Sequence, residues 1–350
     1  MRILIDITHP SDVHFFKHIF GRFQRDGHEV LVIARKRGVT TELLRAHDVP
    51  CLFLTRKPHS VLGMGYELLV RDVGMLRCCR WFRPDVLLCK NSALSAGWVG
   101  RILGIPSITI EENELAWLQR LIGLHLADHI LTGTGFRKQH GAREVKFRGV
   151  WIQAYLEPRY FTPDPGILRE AGVEPEAPYT VMRRIDWDAG HDIGLEGVTE
   201  EDAIGVMERL SRFGPVYLTQ ESDLPPALKP YRCPVAAEDL HHLLAYASVY
   251  LGEGVTTAAE AAVLGTPSVL CNPYRPGYVH VMRDDFGLLV TEDSLLDGLR
   301  KAEEFLRTPR LRRQWRHRRD RLLEESDDIV QFVVDFVYRT VSRQGRGGGP

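Results

Sequence analysis

The sequence predicts an α/β protein with two domains, each built on a parallel β-sheet. Three observations support this prediction. The 350 residues exceed the length over which one hydrophobic core keeps growing, short apolar runs alternate with segments of helical periodicity, and several runs are apolar throughout, as in strands buried on both faces. We expect domains at residues 1–155 and 156–325, a helix at 326–341 that packs back on the first domain, and a disordered tail at 342–350.

The first half of the chain follows a repeated strand and helix order. The expected strands are 2–7, 29–34, 51–54, 85–89, 107–110 and 129–132. The expected helices are 12–25, 40–47, 65–81, 93–103 and 116–125. Parallel strands joined by helices form a sheet that is covered on both faces, so this half is predicted to be Rossmann-like.

The second half repeats this order after a stretch rich in proline and glycine, 153–166, which predicts the crossing between the domains. The expected strands are 179–183, 216–219, 248–251 and 268–270. The expected helices are 200–212, 240–246, 257–264, 294–306 and 311–341. Ligands bind beyond the carboxyl ends of parallel strands, so two such domains facing each other would form a cleft lined by the loops that follow the strands.

The composition argues against several classes of protein. A formal net charge of -1 is far from the basic surface of a general nucleic-acid-binding protein. The six cysteines form no Cys-x-x-Cys pair and have no histidine at metal-ligand spacing, so we expect reduced cysteines and no metal. No apolar run has the length of a membrane helix, and the chain opens on a strand rather than a signal peptide, which predicts a cytoplasmic protein. No Gly-x-Gly-x-x-Gly follows the first strand, which disfavours an NAD dehydrogenase, and we expect no cofactor.

The stretch 251–270 predicts, in order, a strand end, a glycine turn, a helix and the next strand. Two glycines permit the tight turn, and one of two following threonines can cap the helix, whose first amide groups would then form an anion site. Thr257-Ala-Ala-Glu260 also matches a capping box, in which Glu260 would bind only the backbone. The candidate substrate-binding residues of this stretch are Gly252, Glu253, Gly254, Thr256, Thr257 and Glu260.

Two histidines follow the first strand. Ser11 or Asp12 is the expected helix cap, which puts His14 in the first helical turn. The positive end of the helix dipole disfavours imidazolium there, so His14 would be a neutral ring suited to a general base. His9 is a candidate for substrate binding. A surface histidine, or one bonded within the turn, is the alternative for both residues.

Polar residues also follow the fourth and fifth strands of the first domain. Asn91 and Ser92 precede small residues that let a helix begin close to the sheet, and both are candidates for substrate binding. Glu112 and Glu114 follow the apolar fifth strand and would point into the same crevice, where either can accept a proton or bind a substrate hydroxyl. A solvated acidic helix start is the alternative.

The first strand of the second domain runs into a charged loop. Arg183 or Arg184 at the strand end is placed to bind phosphate groups, which arginine contacts bidentately. A surface salt bridge is the alternative for either arginine. His191 and Asp192, further along the loop, are predicted to orient each other and to contribute to substrate binding.

Three segments together resemble a known family. They are Ile5-Asp-Ile-Thr-His-Pro-x-x-Val-His-Phe-Phe16, Trp187-Asp-Ala-x-His-Asp192 and Gly252-Glu-Gly-x-Thr-x-x-x-Glu-Ala-Ala-Val-Leu-Gly-Thr-Pro267. Over nearly its whole length the chain resembles the prokaryotic proteins called domain of unknown function family 354. That family looks like a branch of the GT-B glycosyltransferases, similar to the peptidoglycan N-acetylglucosaminyltransferase and the UDP-N-acetylglucosamine 2-epimerases. The resemblance implies a GT-B-like fold, with two Rossmann-like parallel-sheet domains facing across a cleft and C-terminal helices.

The resemblance to the transferases also implies roles for individual residues. The helix that begins at Thr256 would take the nucleotide diphosphate, and Glu260 would bind the ribose. His14 falls where the transferase carries a histidine, although Thr8-His-Pro-Ser-Asp12 lacks the glycines of the transferase's first turn. The epimerases resemble the chain at Glu112 or Glu114. They carry a His-Arg-x-x-Asn-type stretch after the first strand of the second domain, and its replacement here disfavours epimerisation.

The leading hypothesis is therefore a metal-independent glycosyltransferase. It would move a sugar from a nucleotide-diphospho-sugar, such as UDP-N-acetylglucosamine, to an unknown lipid-linked or glycan acceptor in cell-envelope or polysaccharide biosynthesis. His14, Glu112 or Glu114 would deprotonate the attacking hydroxyl. One alternative is a UDP-N-acetylglucosamine 2-epimerase or hydrolase, and another is a non-catalytic protein that binds nucleotide-sugars.

One segment suggests peripheral contact with an anionic membrane. It places cationic and aromatic residues together, as interfacial helices do. These residues are Arg71, Arg77, Trp81, Phe82 and Arg83. A solvated and partly packed helix is the alternative.

Overall fold

The computed structural model describes residues 1–58, 60–112, 114, 123–185, 199–220 and 223–347. The chain divides into two compact units. Unit 1 comprises Met1–Tyr155 together with Ser326–Pro350, and unit 2 comprises Leu156–Glu325. Each unit contains one β-sheet in which the paired strands run parallel.

The sheet of unit 1 has, among the described residues, seven strands in the order β3-β2-β1-β4-β5-β6-β7. They are β1 Arg2–Ile7, β2 Glu29–Lys36, β3 Cys51–Arg56, β4 Val86–Lys90, β5 Ser107–Glu111, β6 His129–Thr132 and β7 Glu144–Lys146. β1, β4 and β5 are neighbours at the centre, with Asp6 beside Cys89 and Lys90 beside Ile110. The loops after these three strands therefore begin at one edge of the sheet.

Helices cover the sheet of unit 1. They are α1 Pro10–Arg25, α2 Thr40–Ala46, α3 Val61–Phe82, α4 Ala93–Leu103, α5 Leu124–Leu126 and α6 Gln153–Leu156. The buried side of α1 is aromatic and aliphatic, with Phe15, Phe16, Ile19 and Phe23 at most 1% exposed. One core cluster joins the sheet to α3 and α4 through Leu4, Ile33, Met75, Cys79, Leu87, Cys89, Ala96 and Val99. Of the predicted helix 116–125, residues 116–122 lie outside the described part of the chain.

The sheet of unit 2 has, within the described ranges, five strands in the order β12-β11-β10-β8-β9. They are β8 Thr180–Arg183, β9 Val216–Thr219, β10 Val249–Gly252, β11 Ser268–Cys271 and β12 Leu289–Glu292. The helices are α7 Pro165–Glu170, α8 Glu200–Leu210, α9 Leu240–Tyr246, α10 Val255–Val263, α11 Gly277–His280, α12 Leu295–Arg307 and α13 Leu311–Glu324. The predicted α/β class with two Rossmann-like parallel sheets is confirmed.

The end of the chain differs from the prediction in two ways. The helical stretch expected at 311–341 is two helices, α13 and α14 Ile329–Gly347. The break has a polar cause, because the carboxylate of Asp328 accepts a hydrogen bond from the first turn of α14 while Asp327 binds the backbone and guanidinium of Arg148. The helix also continues to Gly347, past residue 341, where a disordered tail was predicted.

Candidate functional site

Lys90, the last residue of β4, carries a charge into the interior of unit 1. Its side chain is 0% exposed, and its Nζ lies 2.7 Å from Glu112 Oε1 and 3.4 Å from Asp12 Oδ1. The same nitrogen lies 4.0 Å from the centroid of the Trp151 ring, a distance suited to a cation–π contact. Burial by itself lowers the pKa of Lys90, but the carboxylates of Glu112 and Asp12 raise it above its ordinary value. The site therefore contains a fixed ammonium group.

Glu112 follows β5, and its position is fixed by Asn91, the residue after Lys90. Asn91 Nδ2 donates to Glu112 Oε1 at 3.0 Å, and Glu112 N donates to Asn91 Oδ1 at 3.3 Å. Asn91 has a φ of 53°, a left-handed conformation that asparagine tolerates better than most residues. Burial raises the pKa of Glu112, and the nearby Lys90 ammonium opposes that rise.

The two oxygens of Glu112 differ in their surroundings. Oε1 accepts hydrogen bonds from Lys90 and Asn91, whereas Oε2 has no hydrogen-bond partner among the described residues. A buried acceptor without a partner costs free energy unless a ligand or water satisfies it. Glu112 is thus a carboxylate that is fixed through Oε1. Through Oε2 it can accept a proton or a hydrogen bond from a hydroxyl group.

The start of α1 corrects the predicted cap. His9 is the N-cap, with its ring accepting a hydrogen bond from Ser11 N, and Asp12 Oδ2 accepts in return from His9 N at 2.9 Å. These two reciprocal bonds form a capping box between His9 and Asp12. With His9 as the N-cap, Ser11 and Asp12 lie inside the helix. His9 orients the helix start, and Asp12 turns its other oxygen toward Lys90.

His14 lies in the second turn of α1, not in the first as predicted, because the helix begins at Pro10. The ring is 8% exposed, stacks on Tyr155 at 5.4 Å between centroids, and meets His47 edge-on at 5.7 Å. Tyr155 lies 5.8 Å from Trp151. Aromatic contacts thus connect His14 to the ring that covers Lys90.

A second buried ion pair lies beside this cluster. Asp6 of β1 accepts a hydrogen bond from Ser92 Oγ at 3.0 Å and forms an ion pair with Arg71 of α3. Burial raises the pKa of Asp6, and Arg71 opposes the rise. Arg71 is 2% exposed, so the prediction that it faces an anionic membrane is wrong, because Asp6 holds it inside unit 1.

Glu114 has a different environment from Glu112. It is 8% exposed and accepts a hydrogen bond from Arg137 N. Glu112, Asn91 and Ser92 therefore lie together at the edge of the sheet where β1, β4 and β5 end. Glu114 instead contacts the loop that follows β6.

In unit 2, two glycines bring the β10–α10 turn close to Arg183. Gly252 pairs with Arg183 across β10 and β8, and a Cβ at Gly252 would lie 2.3 Å from the Arg183 carbonyl oxygen. A Cβ at Gly254 would lie 2.7 Å from Arg183 Cδ. Glycine is therefore required at both positions for this approach, which lays the arginine stem against the start of α10.

The helix α10 begins two to three residues earlier than its predicted caps. Its N-cap is Gly254, no side-chain cap bond is formed by the described residues, and Thr256 and Thr257 belong to the first turn. The prediction that one of these threonines caps the helix is wrong, as is the capping-box alternative for Glu260. The first amide groups of a helix have no acceptor within it, and they attract anions.

Glu260 contacts a histidine of the preceding helix. Its Oε1 lies 3.2 Å from His241 Nε2 of α9, and the two side chains are 6% and 3% exposed. Glu253 is 3% exposed, accepts a hydrogen bond from Ile185 N at 3.2 Å, and receives one at its carbonyl from Asn272 Nδ2 at 2.8 Å. These contacts fix the turn on both sides of the helix start.

Of the other predicted residues of unit 2, Arg183 and Arg184 each lie near a polar side chain, and two lie outside the described residues. Arg183 Nη1 is 3.4 Å from Thr219 Oγ1, and Arg184 Nη1 is 3.4 Å from Gln220 Oε1. The predicted His191 and Asp192 lie outside the described residues. Within the described ranges, no group of three or more His, Cys, Asp or Glu side chains could hold a metal ion.

Sequence reasoning assigned no role to several residues of this site. Asp6, Lys90 and His241 were not selected. A usable signal existed for two of them, because Asp6 and Lys90 each follow an apolar run within a strand. A charge in a strand buried on both faces must be paired, and such pairs gather at functional sites.

Comparison with solved structures defines the class of fold. The S. aureus MnaA–UDP complex has a TM-score of 0.70 at 12% identity, with 98% of this chain and 97% of that chain covered. The Neisseria meningitidis UDP-GlcNAc 2-epimerase bound to UDP-GlcNAc has a TM-score of 0.67 at 11% identity, with 97% and 100% covered. The spinosyn forosaminyltransferase SpnP has a TM-score of 0.65 at 16% identity, with 98% and 99% covered. The protein has a GT-B fold.

The family is shown by the sequence itself. The model described as "Protein of unknown function (DUF354)" matches residues 1–342, and the chain belongs to that family. An uncharacterized protein of Methanocaldococcus jannaschii is 25% identical over 284 residues, which are 77% of this chain and 82% of that protein.

Proposed function

We propose that this protein is a glycosyltransferase that takes a sugar from a nucleotide-diphospho-sugar and transfers it to a hydroxyl group of a lipid-linked or glycan acceptor. The observation that carries the proposal is the approach of Arg183 to the start of α10, which Gly252 and Gly254 permit. A cation beside free helix amides suits a diphosphate. UDP-N-acetylglucosamine is the first donor to test, because structurally similar proteins include one bound to it.

Unit 2 would bind the donor. The amide groups of the first turn of α10 and the guanidinium of Arg183 would contact the diphosphate, and Glu260 would accept hydrogen bonds from the ribose. His241 fixes the Glu260 carboxylate from one side. The same amides and guanidinium would stabilise the negative charge of the leaving diphosphate, so the transfer needs no metal ion.

Glu112 is the base that we favour. Its Oε2 would take the proton of the acceptor hydroxyl. At the same time the hydroxyl oxygen would bond to the anomeric carbon of the sugar, and the bond between this carbon and the diphosphate would break. Burial raises the pKa of Glu112, which makes it a stronger base than a solvated carboxylate. His14 and Glu114 are further candidates for this role, but the packing of His14 and the bond from Arg137 N to Glu114 support structural roles.

The test is a donor-consumption assay with UDP-N-acetylglucosamine and a panel of lipid-linked and glycan acceptors. Transfer that requires an acceptor, and that is lost in the Glu112→Gln variant, supports the proposal. Tight binding of the donor without turnover over the whole panel would identify a non-catalytic nucleotide-sugar-binding protein instead.

A 2-epimerase or hydrolase is the second candidate. The half-buried Glu112 with its raised pKa suits proton abstraction from a sugar carbon as well as from a hydroxyl. Incubation with UDP-N-acetylglucosamine alone distinguishes the two reactions. Formation of a mannosamine product or of free UDP would favour this candidate, whereas an unchanged donor would favour transfer.

A further inference from the structure

The first half of helix α3 buries charges and exposes apolar side chains, whereas its second half packs Met75 and Cys79 into the core. In the first half, Glu67, Arg71 and Asp72 are 9%, 2% and 7% exposed, whereas the neighbouring Leu69 and Val73 are 66% and 45% exposed. A surface helix normally turns its apolar side to the core and its charges to water. Two features therefore need an explanation: the charges on the inner side of α3 and the apolar side chains on its outer side.

The inner side of α3 is explained by polar contacts. Arg71 pairs with Asp6 of β1, and Glu67 accepts a hydrogen bond from Thr55 and lies 3.6 Å from an Arg35 nitrogen. These contacts fix the rotation of α3 about its axis. The apolar residues that face outward are therefore held there and are not available to the core.

The outward residues form one continuous stripe. They follow the helical spacing i, i+3, i+4, i+7, i+11, i+14 and i+15, and all are exposed. We call the stripe the α3 outer face, and its residues are Tyr66, Leu69, Val70, Val73, Arg77, Arg80 and Trp81. Tyr66 and Trp81 are 73% and 71% exposed, which is unusual for aromatic side chains of this size.

The exposed charged residues of the segment 51–83 have one sign. Within residues 51–83 the acidic residues are Glu67 and Asp72, and both are buried. The exposed cations of this segment are Arg56, Lys57, Arg77, Arg80 and Arg83. This exposed surface is therefore apolar and cationic, although the whole chain has a net charge of -1.

We propose that the α3 outer face binds the surface of an anionic lipid bilayer. Leucine and valine side chains enter the boundary between headgroups and acyl chains, tryptophan and tyrosine favour the interface, and arginines contact lipid phosphates. A second copy of the chain is a poorer occupant. A two-fold contact would bring like charges together, and the segment offers no exposed carboxylate to neutralise them.

The contact is peripheral. No helix in the described part of the chain has the length and apolar character needed to cross a membrane. Of the residues that the sequence suggested for this contact, Arg77, Trp81 and Arg83 are exposed, Phe82 is half-buried and Arg71 is buried. The inference does not depend on the proposed transfer reaction, because the α3 outer face contains none of the residues proposed to bind the donor or to act as the base.

The test is sedimentation of the full chain with two kinds of vesicle, phosphatidylcholine alone and an equal mixture of phosphatidylcholine and phosphatidylglycerol. The wild type is expected to sediment with the mixed vesicles and far less with the neutral ones. The double variant Arg77→Gln with Arg80→Gln should lower partitioning roughly 30-fold, from about 1 kcal/mol per arginine near an anionic surface. Leu69→Glu should lower it by about tenfold or more, since it removes an inserted side chain and adds a negative charge.

Two controls make the result specific. Ile102→Glu changes another apolar residue of unit 1 that is 58% exposed but lies on α4, and it should leave partitioning unchanged. Competition with inorganic phosphate and with soluble inositol phosphate, at equal charge concentration, distinguishes a bilayer from a free phosphate ligand. If the face binds a bilayer, neither compound should displace the wild type from mixed vesicles.

Three outcomes would overturn the proposal. They are equal sedimentation of the wild type with both vesicle types, wild-type partitioning by the Leu69→Glu variant, and a monomer–dimer equilibrium that Leu69→Glu abolishes while vesicles have no effect. Thermal unfolding and UDP binding, measured on the same variants, separate this question from that of the donor site.

Discussion

Lys90 constrains the chemistry of unit 1 because its ammonium group lies between two carboxylates and beneath an indole ring. A buried cation of this kind holds Glu112 at a defined position and lowers the pKa of that carboxyl relative to burial alone. Asn91 holds the same oxygen from the other side. Glu112 Oε2 has no hydrogen-bond partner among the described residues, and it is the oxygen that the proposed reaction uses.

Replacement of Glu112 by glutamine tests this assignment. We expect kcat for sugar transfer to fall by about 10²- to 10⁴-fold, the usual contribution of a positioned general base. Donor affinity should stay within about twofold of the wild type, since unit 2 holds the donor contacts. Glu114→Gln is the matched control and should retain activity. Activity lost in Glu114→Gln but kept in Glu112→Gln would reverse the two roles.

The pH dependence of the reaction tests the role of Lys90. In the proposed reaction Glu112 acts as a base when it is deprotonated, so kcat/KM should rise with pH through a pKa above the ordinary carboxyl value. The Lys90 ammonium opposes that raised value, so Lys90→Met should move the acidic limb of the profile to still higher pH. The measurement is kcat/KM from pH 4 to 9, with chemical unfolding in parallel.

Two results would contradict this account of Lys90. One is an acidic limb that stays in place in the Lys90→Met variant, and the other is a limb that moves to lower pH. A loss of about 3–5 kcal/mol in unfolding free energy is expected for this variant, because it leaves the buried carboxylate of Asp12 and the half-buried carboxylate of Glu112 without their cation.

At the scale of elements, the two glycines of the β10–α10 turn allow the stability of unit 2 and its binding of UDP to be tested separately. A methyl group at Gly252 would meet the Arg183 carbonyl oxygen, which belongs to the strand backbone and cannot move away. A methyl group at Gly254 would meet the Arg183 side chain, which can rotate. Gly254 also has a negative φ, so alanine there brings no backbone strain.

The two alanine variants should therefore behave differently. Gly252→Ala should destabilise unit 2 by about 1–3 kcal/mol, as overpacking does. Gly254→Ala should keep the unfolding midpoint close to that of the wild type but weaken UDP binding by about tenfold, because it displaces Arg183 from the helix start. Chemical unfolding and calorimetric titration with UDP measure the two effects. Unchanged UDP affinity in Gly254→Ala would remove Arg183 from the proposed site.

Elements were more predictable than their ends. Alternation of apolar runs and helical periodicity located the long strands and helices, since burial on both faces leaves a clear mark on composition. The start of α10 was misplaced because Thr257 and Glu260 match a capping box, whereas the glycine at 254 can cap a helix without a side-chain bond. The helical periodicity over 311–341 does not mark the break before α14, whereas Ser326, Asp327 and Asp328 form a sequence suited to a helix start.

At the scale of the molecule, the sites depend on strand order, which the sequence alone does not determine. Lys90 and Glu112 are 22 residues apart in the chain and meet because β4 and β5 are neighbours. Asp12 joins them because β1 lies on the other side of β4. The strand ends were predicted, but pairs such as Lys90 with Glu112 and Glu260 with His241 arise only when the order of strands and helices is known.

The most direct test of the account is calorimetric titration of the whole chain with UDP-N-acetylglucosamine, for the wild type and for Glu260→Gln, with Arg169→Gln as the control. Glu260 is 5% exposed and would bind the ribose, whereas Arg169 forms an exposed pair with Glu176 on the same unit. We predict saturable binding by the wild type and by Arg169→Gln, and an affinity about tenfold or more lower for Glu260→Gln, the loss expected for a hydrogen bond to a charged group. Equal affinity in all three proteins, or no binding by the wild type, would contradict the account.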